Sequence, residues 1–485
     1  MASWIVSLAA SGQPESAESL VGTWTGQMEH DGETSPLALE FVKRETGVHA
    51  VLVVPAFHGR SPLGPVKVNG NKVELAMMTL DYDRAAARLA VTLPKGLVPR
   101  YEPRMTFTRS ATPFVLPVRS DPGAPRRTPV WTADLGSPIW ADALYRDGRL
   151  FVGADDGRLR AIDARTGKVV WTFTAGGAIR ARATIDGGNL LVQSDNGLLH
   201  RIDARTGTLV WQVKIADQPT TRLPLSDPKG RYENRASAAA LHGGRVFVGT
   251  HEGRLLSLNA ATGERVWEFK AGDSITTTPS VADGKVYFGS FDRHVYAIAE
   301  RDGSLIWKYD AGEAVTSDVA PTSGRVIVGS RSYDLESLDA GRGTSQWKKY
   351  FWFSWVESSP TVFQNTIYVG SSDAAKVFAI DVATGRSVWE ADALGSAWGR
   401  PAVTESTVFQ GSAGVLRYSA PHRGVVLAFD RRTGRVGWWY EAAPPVPRDP
   451  VPPQTVAYGF AASVAIGDGL VFAPALDGRV YAFAQ

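Results

Sequence analysis

Seven tryptophans, Trp171, Trp211, Trp267, Trp307, Trp347, Trp389 and Trp438, follow one another at intervals of 40, 56, 40, 40, 42 and 49 residues. Each closes a similar unit, as in GRLFVGADDGRLRAIDARTGKVVW (148–171), GRVFVGTHEGRLLSLNAATGERVW (244–267) and GKVYFGSFDRHVYAIAERDGSLIW (284–307). A period near 40 with apolar residues at alternate positions predicts four-stranded propeller blades. No such unit buries its own apolar face, so neighbours must stack.

The recurring residues have structural tasks. Glycine stands four before each tryptophan (Gly167, Gly207, Gly263, Gly303, Gly343, Gly385, Gly434), where a tight hairpin calls for positive φ. Asp or Asn stands eight before it in six of the seven units (Asp163, Asp203, Asn259, Asp339, Asp381, Asp430), placed to accept hydrogen bonds from the turn's own N–H groups. The tryptophan offers a large apolar body to the next blade. Trp131 lies 40 before Trp171 but lacks both companions, while DGRVYAFAQ reaches Gln485 where a fourth strand would begin. The expectation is an eight-bladed propeller in which residues 128–133 complete the three C-terminal strands, leaving no large sheet edge exposed.

The pattern G-x-[VL]-[FY]-x-G-x-x-[DE]-G-x-[VL]-x-[AS]-[IL]-[DN]-A-x-T-G-x-x-x-W resembles the pyrroloquinoline-quinone-type repeat. Quinoprotein alcohol dehydrogenases carry that repeat, and so does the lipoprotein scaffold of the outer-membrane barrel-assembly machinery. The resemblance implies the fold. Enzymes and pure scaffolds share these structural residues, so it leaves the function open.

Residues 20–110 break the period. About seven short alternating runs, among them VGTWTGQM, LALEFV, HAVLVV and RMTFTR, predict a small antiparallel β barrel or sandwich. The GTW at Gly22–Trp24 resembles the first strand of lipocalin-like barrels, but a plain β-sandwich without ligand is the simpler reading. A Pro-rich stretch, 111–127, is read as the linker to the propeller at 128–485. Residues 1–19 are read as a tail or an atypical signal, since no positively charged n-region precedes the apolar stretch.

Composition narrows the partners. Lys and Arg number 52 against 49 Asp and Glu, and no basic block stands out, which argues against nucleic acid. No apolar run is long enough to span a membrane. With no cysteine, disulfides, thiolate metal sites and a lipid-modified N-terminal cysteine are excluded. The 8 histidines show no pair at metal-ligand spacing, and no metal site is predicted. A periplasmic or secreted monomer is expected.

In up-and-down blades the A–B and C–D turns share one face, and the B–C loops and D-to-A crossovers share the other. The first set is short and uniform (RDGR, ADGK, ARTGK). The length variation falls on the second: IADQPTTRLPLSDPKGRYEN after Trp211, YEAAPPVPRDPVPPQTVAYG after Trp438, and SAGVLRYSAPHRG (412–424) between strands B and C of blade seven. Variable loops at one end of a rigid scaffold are where binding usually sits.

The crossover after Trp347, KKYFWFSWVESSP, lies on that decorated face. Aligning the starts of the inner strands yields one position per blade: Trp140, Arg180, Ala236, Thr276, Thr316, Glu357, Trp398 and Ala461. Two residues on come Asp142, Arg182, Ala238, Thr278, Asp318, Ser359, Arg400 and Ser463. Strand A lines the axis, so both series are predicted to ring the funnel and point the same way. Arg180, Arg182 and Arg400 suit a carboxylate or phosphate. Trp140, Trp352, Trp355 and Trp398 suit a flat ring or a sugar. Glu357 and Asp318 suit a cation or the role of base. Tyr350, Phe351 and Phe353 are read as packing. Against all of these stands the alternative of plain inter-blade salt bridges.

Three functions follow. The first is a non-catalytic binding or scaffold protein of the bacterial cell envelope, gripping a protein, peptide or glycan. The second, implied by the resemblance, is a quinoprotein dehydrogenase using pyrroloquinoline quinone and calcium, with Glu357 and Asp318 as ligands or bases. The family's enzymes commonly carry adjacent cysteines, which this chain lacks. The third is another enzyme working in the funnel with Glu357 or Asp318 as base.

Overall fold

A computed structural model of the chain describes residues 16–30, 33–76, 78–92, 104–116, 119–223, 234–416, 422–445 and 456–485. The chain divides into two compact units, 1–119 and 120–485. The division falls inside the stretch read as a linker.

The first unit is one antiparallel sheet of nine strands, two more than the alternating runs suggest. Strand Gly22–His30 lies between Glu33–Arg44 and Arg104–Ser110, the middle strand of the nine. The two edges, Gly59–Pro65 and Lys67–Asn69, are consecutive in sequence, so the sheet curls into a nearly closed barrel. Its interior is filled by side chains such as Trp24, Leu39, Phe41, Leu80 and Phe107. Trp24 donates its indole N–H to the Leu20 carbonyl (2.9 Å), and the Arg109 guanidinium covers its ring at 5.8 Å.

The second unit is the eight-bladed ring. Blades 1 to 7 span 144–174, 184–214, 240–270, 280–310, 320–350, 361–392 and 402–441. Blade 8 joins Ala465–Gly467, Leu470–Pro474 and Arg479–Ala484 to Trp131–Asp134, the closure expected from the unpaired Trp131.

One device holds successive blades together. The glycine four before each blade tryptophan has φ between 69° and 78°. Above it lies the indole of the preceding blade: a Cβ on Gly207 would stand 2.6 Å from the Trp171 ring, and one on Gly303 2.8 Å from Trp267. The indole N–H groups of Trp131, Trp171, Trp267, Trp307, Trp347 and Trp389 each reach a carbonyl of the blade they cover, as in Trp131 to Ala164 (3.0 Å) and Trp307 to Ala340 (3.1 Å). The Asp at position eight caps the turn as expected, Asp163 accepting from the Thr166 N–H (2.8 Å) and hydroxyl (2.7 Å). Trp211 is the exception. Arg201 takes the Ala260 carbonyl that would accept its N–H, and among the described residues the indole nitrogen finds no other acceptor.

Three local readings change. The two axial series do not lie in strand A. The inner strands are short, Leu144–Arg146 in blade 1 and Ala402–Val403 in blade 7, and the series residues occupy the lead-in just before them. The first part of 412–424 is not a loop: strand Thr407–Leu416 runs on and pairs with Val456–Gly459 from the Pro-rich crossover. Residues 224–233, 417–421 and 446–455 of the inserts lie outside the described residues. Finally, the end of the Pro-rich stretch packs on blade 7. The Arg127 N–H donates to the Trp439 carbonyl (2.7 Å), and the Trp439 indole donates to Ala124 (3.1 Å).

Candidate binding site at the propeller axis

Two spaces follow one another along the axis, a mouth of about 40 Å³ and a chamber of about 230 Å³. Six of the eight residues at the first aligned position line the mouth; Arg180 and Ala236 line the chamber instead. At the second position all but Ser359 line the chamber. Inner-strand alignment therefore locates the axis, although the residues precede the strands.

The charged residues are largely tied to each other. Glu357 accepts from Arg331 through Nε (2.9 Å) and Nη2 (2.7 Å), with only 11% and 8% of the two side chains exposed. The same guanidinium lies over Trp355 at 4.7 Å and Phe291 at 5.3 Å. Arg180 makes a bidentate pair with Asp155 (2.8 Å each) and covers Trp140 at 5.3 Å. Asp318 accepts from Arg400 (2.8 Å) and from the Thr278 N–H (2.6 Å). Both carboxylates proposed as bases are thus held in inter-blade ion pairs. Trp398 is buried and donates its indole N–H to the Ser372 hydroxyl (3.0 Å).

Arg235 stands one residue before the aligned Ala236, and spacing alone does not single it out. It leaves the lead-in of blade 3 and donates to the carbonyls of Trp398 (2.7 Å) and Ala461 (3.3 Å). Those belong to the lead-ins of blades 7 and 8. In a ring of eight, blades 3 and 7 are opposite, so this side chain bridges the axis. It lines both mouth and chamber and marks their boundary. A lone arginine ahead of a run of small residues (RASAAA) is the only sequence signal for it.

The crossover after Trp347 departs from its counterparts. After Trp171 and Trp307 the chain turns through Ala-Gly, with φ of 84° at Gly176 and 85° at Gly312. After Trp347 the same place holds Phe351-Trp352, and Trp352 (48°) and Phe353 (65°) both adopt positive φ. Tyr333, in the neighbouring B–C turn, does too (71°). Left-handed backbone costs an L residue about 1–2 kcal/mol. The rings form a knot: Tyr350 meets Trp352 at 5.6 Å, and Tyr333 meets Phe353 at 5.8 Å. Tyr350 and Phe351 are buried, as read from sequence, whereas Trp352 and Phe353 remain partly exposed.

Beside this knot lies Asp373, also missed in the sequence. Burial, reinforced by the nearby Glu357 carboxylate, pushes its carboxyl up to about 7.

An eight-bladed ring sealed by tryptophan on glycine, with an irregular axial mouth, is the architecture of the pyrroloquinoline-quinone-type repeat propellers. The family model described as outer membrane protein assembly factor BamB matches residues 123–233, 226–350 and 331–485, and the chain belongs to that family. No curated protein matches the sequence. Among solved structures, BamB from Moraxella catarrhalis is similar over 74% of this chain and 100% of its own, at 17% identity and a TM-score of 0.55. The quinohemoprotein alcohol dehydrogenase ADHIIG from Pseudomonas putida HK5 is similar over 74% and 76%, at 14% identity and a TM-score of 0.55. That from Comamonas testosteroni gives 73% and 76%, 15% and 0.55. At these identities the likeness is one of fold. No helix among the described residues is long and apolar enough to cross a membrane.

Proposed function

We propose that this is a non-catalytic binding or scaffold protein of the bacterial cell envelope, acting as a monomer, which grips a protein or peptide with the decorated face of its propeller. The observation that carries this reading is the aromatic turn. Two bulky residues in succession, Trp352 and Phe353, are held in strained backbone at a turn where the crossovers after Trp171 and Trp307 use a single positive-φ glycine, and both stay partly exposed. Strain of this kind concentrates at functional sites, and exposed aromatics are the commonest anchors of protein partners. The family's name, an outer membrane protein assembly factor, supports the envelope and a protein partner.

The quinoprotein alternative fits the axis poorly. Pockets for ligands of that size run to about 300–1,000 Å³, against about 40 Å³ at the mouth and 230 Å³ below it. Glu357 and Asp318 are engaged by Arg331 and Arg400. Among the described residues no cluster of three His, Asp or Glu could hold a metal ion.

The test is photo-crosslinking in envelope preparations, with the probe at Trp352 or, as control, at Lys168 in a plain-face turn. A discrete protein adduct from position 352 alone is expected. The same adducts from both positions, or none from 352, would refute the reading.

A further inference from the structure

We infer that the chamber beneath Arg235 is a binding site for a small oxyanion, a carboxylate or phosphate, held by Arg182 and Arg235. This goes beyond the partner surface proposed above and does not depend on it.

Arg180, Arg182, Arg235 and Arg400 line the chamber. Asp155 satisfies Arg180, and Asp318 satisfies Arg400. The remaining carboxylate, Asp142, answers to both Arg235 and Arg182: burial opposes its ionisation, but those two cations and the Ser463 N–H (2.7 Å) hold it below the usual carboxylate range. Among the described residues, four guanidinium groups thus face three carboxylates, an excess of one positive charge. The excess lies on the pair Arg182 and Arg235. Arg235 donates to the neutral carbonyls of Trp398 and Ala461, and Arg182 makes no ion pair with a described residue and is exposed.

The backbone tells the same story. Around the second axial series, an N–H of one blade is accepted by a side chain of the next: Thr278 by Asp318 (2.6 Å), Asp318 by Ser359 (3.0 Å), Arg400 by Ser463 (2.8 Å) and Ser463 by Asp142 (2.7 Å). The relay is interrupted once after Ser359, where blade 7 presents Arg400, itself paired with Asp318, and it stops after Asp142. The next two blades present a donor, Arg182, and then Ala238, which has no polar atom to offer. An oxyanion seated there supplies the acceptor that the sequence omits. Thr316, which also lines the chamber, keeps a buried hydroxyl that finds no partner among the described residues. At about 230 Å³ the space equals roughly seven or eight waters at about 30 Å³ each, which admits inorganic phosphate or a four-carbon dicarboxylate.

The test is isothermal titration of the full chain with inorganic phosphate and, separately, with succinate, at constant ionic strength. Saturable binding of at least one, with one site per chain, is expected, and the stronger of the two identifies the class. Arg182→Gln is expected to weaken it at least tenfold while leaving the circular dichroism unchanged, because Arg182 holds no ion pair. Arg235→Lys, which keeps the charge but loses the forked reach, is expected to weaken it less. Absence of binding by both anions at 20-fold higher than millimolar concentration (about 20 mM, well beyond the weak end of ligand affinity) would overturn the inference. So would equal binding by Arg182→Gln.

Discussion

The seam where Trp307 of blade 4 lies on Gly343 of blade 5 is built like the seam where Trp171 lies on Gly207, down to the indole N–H reaching a carbonyl of the next blade. The lead-ins around the axis share no such rule. One position carries tryptophan, arginine, alanine, threonine or glutamate depending on the blade, and the partners change with it. The seams need the same shape seven or eight times over, so one residue pattern serves them all. The axis has one copy of each position, and there the sequence is free to be individual. Repetition marks what holds the ring, and departure from it marks what the ring presents.

The comparison can be broken most forcefully at the axis. Glu357→Ala removes the carboxylate from a buried ion pair, and a loss of about 3–5 kcal/mol is expected, read as a lower urea midpoint for the propeller. Asp155→Ala, opening the more exposed pair with Arg180, is expected to lose clearly less. Equal losses would mean that the burial at the mouth does not matter energetically.

At a seam, Gly207→Ala puts a Cβ against the Trp171 ring and an L residue at φ 75°. Left-handed backbone and overpacking together cost about 2–4 kcal/mol. The same change at any of the other six seam glycines should cost a similar amount. A tolerated substitution would show that the seams are less rigid than they look.

The aromatic turn should behave differently from both. Trp352→Gly relieves backbone strain but gives up ring contacts worth about 0.5–1.5 kcal/mol, so stability is expected within about 1 kcal/mol of the parent. Partner crosslinking at the decorated face is expected to fall. A loss of stability comparable to the seam variants would make Trp352 a structural residue.

The smallest effect concerns pH. The Asp373 carboxyl is raised in the fold, so its contribution to stability is present at low pH and is lost as pH climbs toward about 7. His200 acts oppositely: burial lowers it to about 4, and its contribution is lost as pH falls from 6.5 toward that value. Between about 4 and 6.5 the two act with opposite sign. Asp373→Asn is expected to leave a profile in which stability rises with pH between about 4 and 6.5. An unchanged profile would contradict the placement of Asp373.

Much of this architecture is legible in the sequence because seam residues must repeat: the tryptophan interval, the glycine four before it and the unpaired Trp131 define eight blades and their closure. The axial positions follow from the same alignment. What the alignment does not carry is direction and reach. Glu357 stands in the series, but its partner Arg331 comes from a B–C turn whose side chain points inward only in three dimensions. Arg235 escapes because it crosses the axis to carbonyls 163 and 226 residues away. Residues 412–416 read as an inserted loop because their strand partner, Val456–Gly459, follows a long Pro-rich crossover. Trp352 and Phe353 show as unusual in composition, but positive φ on an aromatic residue has no sequence signature.

The central proposal is that the decorated face serves a partner and that the mutually paired mouth holds no quinone cofactor. Titration with pyrroloquinoline quinone, with and without calcium, followed by tryptophan fluorescence and a dye-linked alcohol oxidation assay, tests it most directly, because Trp140 and Trp398 line the mouth and Trp355 stacks on the Arg331 that does. No saturable quenching and no turnover are expected. Tight, calcium-dependent quenching accompanied by alcohol oxidation would contradict the claim and make the axis a cofactor site.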